Sequence, residues 1–161
     1  MALVSVVHCA IPFAFIAGGP ARTNAFLTND DTYYYLQTAW NARHVGFVTF
    51  DAINPTNGVQ FLWFSILYGL SFLTGDKSAF LLAASSLAIV LSCLPYFIIW
   101  RLSRHSPTQG SLQAVVMALL WLVICRYGPN QYDVGLESSL HAFLIWTIVL
   151  QYVRIYRQVS L

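Results

Sequence analysis

Residues Ser78–Trp100, SAFLLAASSLAIVLSCLPYFIIW, run without one charged side chain. As a helix the stretch reaches about 34 Å, enough for a hydrocarbon core of roughly 30 Å. Asp76 and Lys77 precede it, and Arg101 and Arg104 follow it. It reads as a transmembrane helix with charged ends, and it sets the fold class for the rest of the chain.

Other apolar stretches lie on both sides of it: Met1–Gly19, Val59–Leu73, Leu112–Cys125 and Ser138–Val153. Met1–Gly19 reads as a retained anchor, because nothing basic precedes it and the first Lys or Arg is Arg22. Uncharged neighbours back to Ser106 lengthen the third stretch. Arg154 and Arg157 can snorkel from the end of the last. Val59–Leu73 reaches only about 22 Å, short of a full crossing, and is expected to be embedded or to cross with polar help.

Composition agrees. Of 161 residues, 58% are hydrophobic, 16% aromatic and 9% charged, against roughly 25% charged in a soluble domain. So few charges argue against a soluble enzyme or a disordered tail. A net charge of +2 is too small to attract a nucleic acid. Cys9, Cys93 and Cys125 sit apart in apolar runs and read as buried membrane thiols. His8, His44, His105 and His141 show no metal-binding spacing. The expected fold is all-α: a polytopic transmembrane bundle of four spans, with Val59–Leu73 as a short embedded or crossing segment. The whole of 1–161 then forms a single membrane module, with spans at 1–19, 78–100, 106–126 and 138–153.

Charge leaves the topology open. If Val59–Leu73 does not cross, Arg101, Arg104, Arg154 and Arg157 share one side and the six acids share the other. The eight Lys and Arg residues then divide evenly. A five-span arrangement with the N-terminus outside concentrates the basic residues better under the positive-inside rule, and it would place Asp30 in the cytoplasm.

The long polar stretch, residues 20–58, carries the chemistry. Asn29 or Asp30 is a good helix cap, and Tyr33, Leu36 and Trp40 follow at i, i+3 and i+7. Gly46 is a suitable stop. The pattern predicts an amphipathic interfacial helix with Asp30 and Asp31 at its head, where the helix dipole favours carboxylates. Successive helical residues diverge by about 100°, so the two acids are expected to divide roles. Asn54-Pro55-Thr56 is no glycosylation acceptor, since proline holds the middle position, and Asn57-Gly58 marks a tight turn.

DDTYYYLQTAW, followed by FDAINPTNGVQFLW, resembles the first extracytoplasmic loop of polytopic GT-C-type glycosyltransferases. These are bacterial relatives of the protein O-mannosyltransferase and lipid A aminoarabinose transferase families. GLESSL, Gly135 to Leu140, is similar to a later Gly-Met-Glu-(Ser/Thr)-Ala-Leu motif. Leu136 stands for the usual methionine, and Gln60 occupies a position often held by His.

The resemblance implies an integral membrane protein of the bacterial inner membrane, with the acidic loop extracytoplasmic and four spans. It implies transfer of a sugar from a polyprenyl-phosphate donor to an unidentified acceptor. Asp30 is then the general base, with Asp31 beside it as a second catalytic residue. Tyr34, Arg43, Asn54, Asn57 and Glu137 are the expected substrate-binding residues, and Arg22, Arg43 or Arg126 would face the lipid phosphate. Membrane lipid is the expected surrounding, no nucleic acid is expected, and the cofactor is left open: a divalent metal is compatible with the resemblance but not implied by the spacing. Such transferases carry more spans, so the chain is expected to be an N-terminal part of a longer one. The competing expectation is a non-catalytic membrane scaffold, or a truncated remnant, whose acidic loop binds a partner.

Overall fold

The computed structural model describes residues 2–27, 30–103 and 137–159. The regular elements among them are all α-helices: α1 Ala2–Ala17, α2 Pro20–Leu27, α3 Asp30–Val45, α4 Phe61–Ser71, α5 Lys77–Ser103 and α6 Ser138–Val159. The expected span at 106–126 lies outside the described residues.

α1 ends on two glycines. Gly19 adopts φ +91°, a conformation other residues resist, and its N–H bonds the Ile16 carbonyl at 2.9 Å. Pro20 then opens α2, at a position where its missing N–H costs nothing. The Thr23 hydroxyl, fully buried, donates back to the Gly19 carbonyl at 3.0 Å. The loop expected over 20–58 therefore begins with a second short helix.

α3 follows its sequence signals. Asp30 and Asp31 occupy the first turn and Arg43 and His44 the last, matching the helix dipole at both ends. Gly46, at φ +89°, ends the helix, its N–H bonding the Ala42 carbonyl at 3.1 Å. Thr32, Tyr35, Leu36, Thr38, Ala39, Asn41 and Ala42 are all buried, so one face of α3 packs against α4 and α5 while Asp30, Asp31, Tyr33, His44 and Val45 stay exposed. The expected face is also split: Leu36 is buried while Tyr33 is 40% exposed.

Tyr35, Leu36, Ala39 and Ala42 from α3 meet Trp63, Phe64 and Leu67 from α4, Phe80, Ala84 and Ala88 from α5, and Leu140 from α6. The alanines let the helices approach closely, and Trp63 fills the centre at 1% exposure. α5 begins on a side-chain cap: Asp76 Oδ1 accepts from the N–H groups of Ser78 and Ala79 at 2.8 and 2.9 Å. α5 is the one described helix long and apolar enough to cross a membrane. Cys93, on α5, is disulfide-bonded and not a free thiol as expected; its partner's side chain is not among those described.

Candidate active site

The acid pair sits at the exposed head of α3. Helical register sends its members two ways. Asp30 shares the face of Tyr33, Gln37 and Trp40, spaced i+3, i+7 and i+10. Asp31 shares the face of Tyr35, one turn on.

On the Asp31 side, Tyr35 is buried and its hydroxyl accepts from the Gln60 N–H at 3.3 Å. Burial pushes the Tyr35 phenol above its ordinary value, although the Gln60 hydrogen bond acts in the opposite direction. Glu137 raises it further, by its charge and as an acceptor for the phenol proton, and the charge of Asp31 adds to this. The fold therefore brings Glu137, from the start of α6, to the same tyrosine that feels Asp31. The Glu137 carbonyl accepts the first helical hydrogen bond of α6, from His141 N–H at 2.8 Å. Its carboxylate Oε2 is buried with no hydrogen-bond partner among the described residues.

On the Asp30 side lies an open groove of about 340 Å³ between α2, α3 and the start of α5. Asn24, Tyr33, Gln37, Trp40, Lys77 and Ser78 are among its lining residues. The Lys77 ammonium donates to Gln37 Oε1 at 3.0 Å, Gln37 Nε2 to Asn41 Oδ1 at 2.9 Å, and Asn41 Nδ2 to the Phe50 carbonyl at 2.7 Å. This relay ties the groove to the loop after α3. Trp40 is held in place by the His44 ring at 4.6 Å and the Phe80 ring at 5.8 Å.

Besides Glu137, three of the expected substrate-binding residues have partners inside the fold. The Tyr34 hydroxyl shares a 2.6 Å hydrogen bond with Thr56 Oγ1, and its ring stacks on Phe50 at 5.3 Å. Tyr34 thus clamps α3 to the NPTNG turn. Arg43 donates to the carbonyls of Ser71 and Thr74. Its guanidinium also lies 5.6 Å from the Trp40 ring centroid and 5.2 Å from that of Phe72. It caps the C-terminal end of α4 and stands 13 positions, about 20 Å, along α3 from Asp30. The structure does not bring Arg43 to the acid pair. Asn57 is exposed on the turn. Arg22 is exposed on α2, and Arg126 lies outside the described residues.

Asn54 belongs to a loop organised by Asp51. The Asp51 carboxylate accepts from the N–H groups of Ile53 and Asn54 at 2.9 and 2.7 Å, and from Asn54 Nδ2 at 2.8 Å. The Thr49 hydroxyl, at 3.1 Å, adds a fourth donor. These bonds let Ala52 adopt φ 65° and close an isolated bridge between Thr49 and Pro55. The Asn54 bonds, first through its backbone, hold the Asp51 carboxyl well below the usual carboxylate range. A carboxyl depressed by folding stabilises at pH values above its unfolded value, near 3.9, and loses that contribution as pH falls through its folded value. The loop over 49–55 is therefore expected to hold its shape through pH 4 and to loosen only in stronger acid. The amide shifts of Ile53 and Asn54 against pH check this, and a midpoint near the ordinary carboxylate value would contradict it.

Two functional candidates escaped the sequence reading: Lys77 and Gln37, which meet across 40 positions of chain. No local pattern marks such a pair. Among the described residues no three His, Cys, Asp or Glu side chains converge as a metal site would require. No family model, no curated protein and no solved structure matches the chain.

Proposed function

We propose that the chain is the membrane module of a glycosyltransferase, similar to the GT-C type, that moves a sugar from a polyprenyl phosphate to an acceptor hydroxyl on the extracytoplasmic face. The observation that carries this reading is the parting of the acid pair at the head of α3. Asp30 falls on the face that lines a largely apolar groove with polar and aromatic side chains along it, and Asp31 on the face that meets Tyr35 and Glu137. An exposed carboxylate on the helix face that carries such a groove is suited to general-base work. Asp30 takes the proton of the acceptor hydroxyl, and the oxygen attacks the anomeric carbon. The bond to the polyprenyl phosphate breaks, the phosphate leaves with the electron pair, and the configuration inverts. Asp31 orients the loop through Tyr35.

In this reading α1, α5 and α6 are spans and α4 is embedded; the fourth expected span, 106–126, lies outside the described residues. Eleven residues give α4 about 16 Å, half a hydrocarbon core. Its inner face is buried, while Phe61 and Leu73 at its two ends are 81% and 82% exposed. A helix apolar on every side suits lipid. On α6, Ile145, Ile148, Tyr152 and Ile155 form a further exposed stripe. A reporter fused after Gly75 is expected to read the same side as one fused after Arg22, and opposite readings would mean that α4 crosses.

A scaffold whose acid pair docks a basic partner is the competing reading, favoured by the exposure of both carboxylates. A transfer assay with radiolabelled polyprenyl-phosphate sugars on the full-length gene product separates the two. Label passing to an acceptor supports the transferase, and its absence with a correctly inserted protein leaves the scaffold.

A further inference from the structure

We propose that the tip of the loop between α3 and α4 docks on lipid: Phe50 and Ile53 enter the head-group boundary of the bilayer and seat the loop on the membrane surface. The inference rests on the membrane placement proposed above and not on the transfer chemistry.

The loop is a small hairpin. Thr49 and Pro55 form its bridge, and the Thr56 N–H bonds the Val48 carbonyl at 2.9 Å. Residues 50–54, FDAIN, make the tip. Ile53 is 77% exposed, and Phe50 is 45% exposed although its ring stacks on Tyr34. Single exposed apolar residues are ordinary, whereas a group of them on one surface marks a contact site. The tip is also rigid. The Asp51 carboxylate is turned inward onto the N–H groups of Ile53 and Asn54, and this fixes the backbone that presents Ile53.

The polar groups of the tip favour lipid as the occupant. Backbone that enters a medium without water must satisfy its own hydrogen bonds. Here the N–H groups of Ile53 and Asn54 and the Asn54 amide donate to Asp51, and the Phe50 carbonyl accepts from Asn41. Pro55 has no N–H to satisfy. The charge of Asp51 limits the depth, because an exposed carboxylate stays with the hydrated head groups. Position agrees. Tyr34, against which Phe50 stacks, is followed by Tyr35, whose hydroxyl accepts from the Gln60 N–H just before α4. The tip and the head of α4, with its exposed Phe61 and Leu62, are thus fastened to adjacent residues of α3. The apolar surface of the tip continues that of a helix already read as embedded. A second copy of the chain is the poorer occupant. Phe50 and Ile53 expose on the order of 200 Å² together, against about 800 Å² per partner in a stable protein interface.

The test uses the full chain in phosphatidylcholine nanodiscs with isotope-labelled isoleucine methyl groups. The Ile53 signal is assigned by its loss in Ile53→Val. Each methyl is read against two paramagnetic probes: phosphatidylcholine with a doxyl label near the carboxyl end of its acyl chain, and a soluble gadolinium chelate. Ile53 is expected to be broadened more by the doxyl lipid than by the chelate. Ile53→Ser, at an exposed position, is expected to lower the seated fraction about tenfold, the scale of losing most of one isoleucine's burial. The doxyl effect on the Ala52 N–H reads that loss.

Broadening of Ile53 by the chelate with sparing by the lipid would overturn the proposal. Sparing by both probes would overturn it as well, since protein then covers the tip. An Ala52 signal unchanged in Ile53→Ser would do the same. Ile145, 60% exposed on α6, separates these results from failure of the membrane reading. If α6 spans, the doxyl lipid broadens Ile145 whatever the tip does. Sparing of Ile145 removes the membrane placement, and the proposal with it.

Discussion

Asp30→Asn is expected to lower sugar transfer by about 10²–10⁴-fold, the usual contribution of a general base, in a protein that folds and inserts normally. Asparagine keeps the size of the side chain and serves as well as aspartate at a helix start. What it lacks is the ability to take a proton from an attacking hydroxyl. Asp30 is exposed and on the groove face, so the substitution disturbs no buried contact. Asp31→Asn, made beside it, is expected to be milder. Its neighbour along the helix is Tyr35, whose phenol is raised above its ordinary value chiefly by burial, with Glu137 a larger influence than Asp31. The measurement is turnover per inserted molecule for both variants. Near-normal turnover in Asp30→Asn removes the base assignment, and near-normal turnover in both removes the loop from the chemistry.

Trp63→Ala is expected to cost about 3–5 kcal/mol of stability, the range for deleting a large aromatic side chain from a packed site. Against a total stability of roughly 5–15 kcal/mol, that removes a large share of the margin and lowers the melting temperature by many degrees. Trp63 is 1% exposed and belongs to the cluster in which α3, α4 and α5 meet, with Leu67 and Phe80. The neighbours on α3 include Ala39 and Ala42, which have no side chain long enough to collapse into the gap. Thermal unfolding in detergent, followed by helical circular dichroism, reads the effect. A loss below about 1 kcal/mol, the scale of an average substitution, would show that the three helices do not pack around this residue.

The sequence made some of this legible and hid the rest for identifiable reasons. α3 and α5 were readable because their ends are written locally. An acid pair and a glycine bound the first, and the carboxylate of Asp76 caps the second. α2 was missed, since eight residues broken in the middle by Arg22, Thr23 and Asn24 offer no periodic apolar face and only Pro20 marks its start. That α3 packs one face against α4 and α5 was also hidden: its buried face includes Thr32, Thr38 and Asn41, residues that read as surface. At the site, the acid pair and its division over two faces follow from helix geometry alone. The fate of Arg43 does not. Its charge is visible in the sequence, but the carbonyls it caps lie 28 and 31 positions away. Lys77 is the reverse case, a residue that looks like a membrane-end charge until Gln37 is found beside it.

Besides the bonds from Gln37 to Lys77 and from Tyr35 to Glu137, the polar contacts that fasten the acid-bearing helix have a shared property. Tyr34 to Thr56, Tyr35 to Gln60, Asn41 to Phe50, and Arg43 to Ser71 and Thr74 all begin and end within residues 34–74. Chains are released from the ribosome N-terminus first, and units close as they emerge. α3, the turn and α4 therefore hold every group needed to lock together while α5 is still being synthesised. When the long apolar helix arrives, it meets a finished wall bearing Leu36, Ala39, Trp63 and Leu67. The polar loop is thus expected to be set before the long apolar helix docks on it.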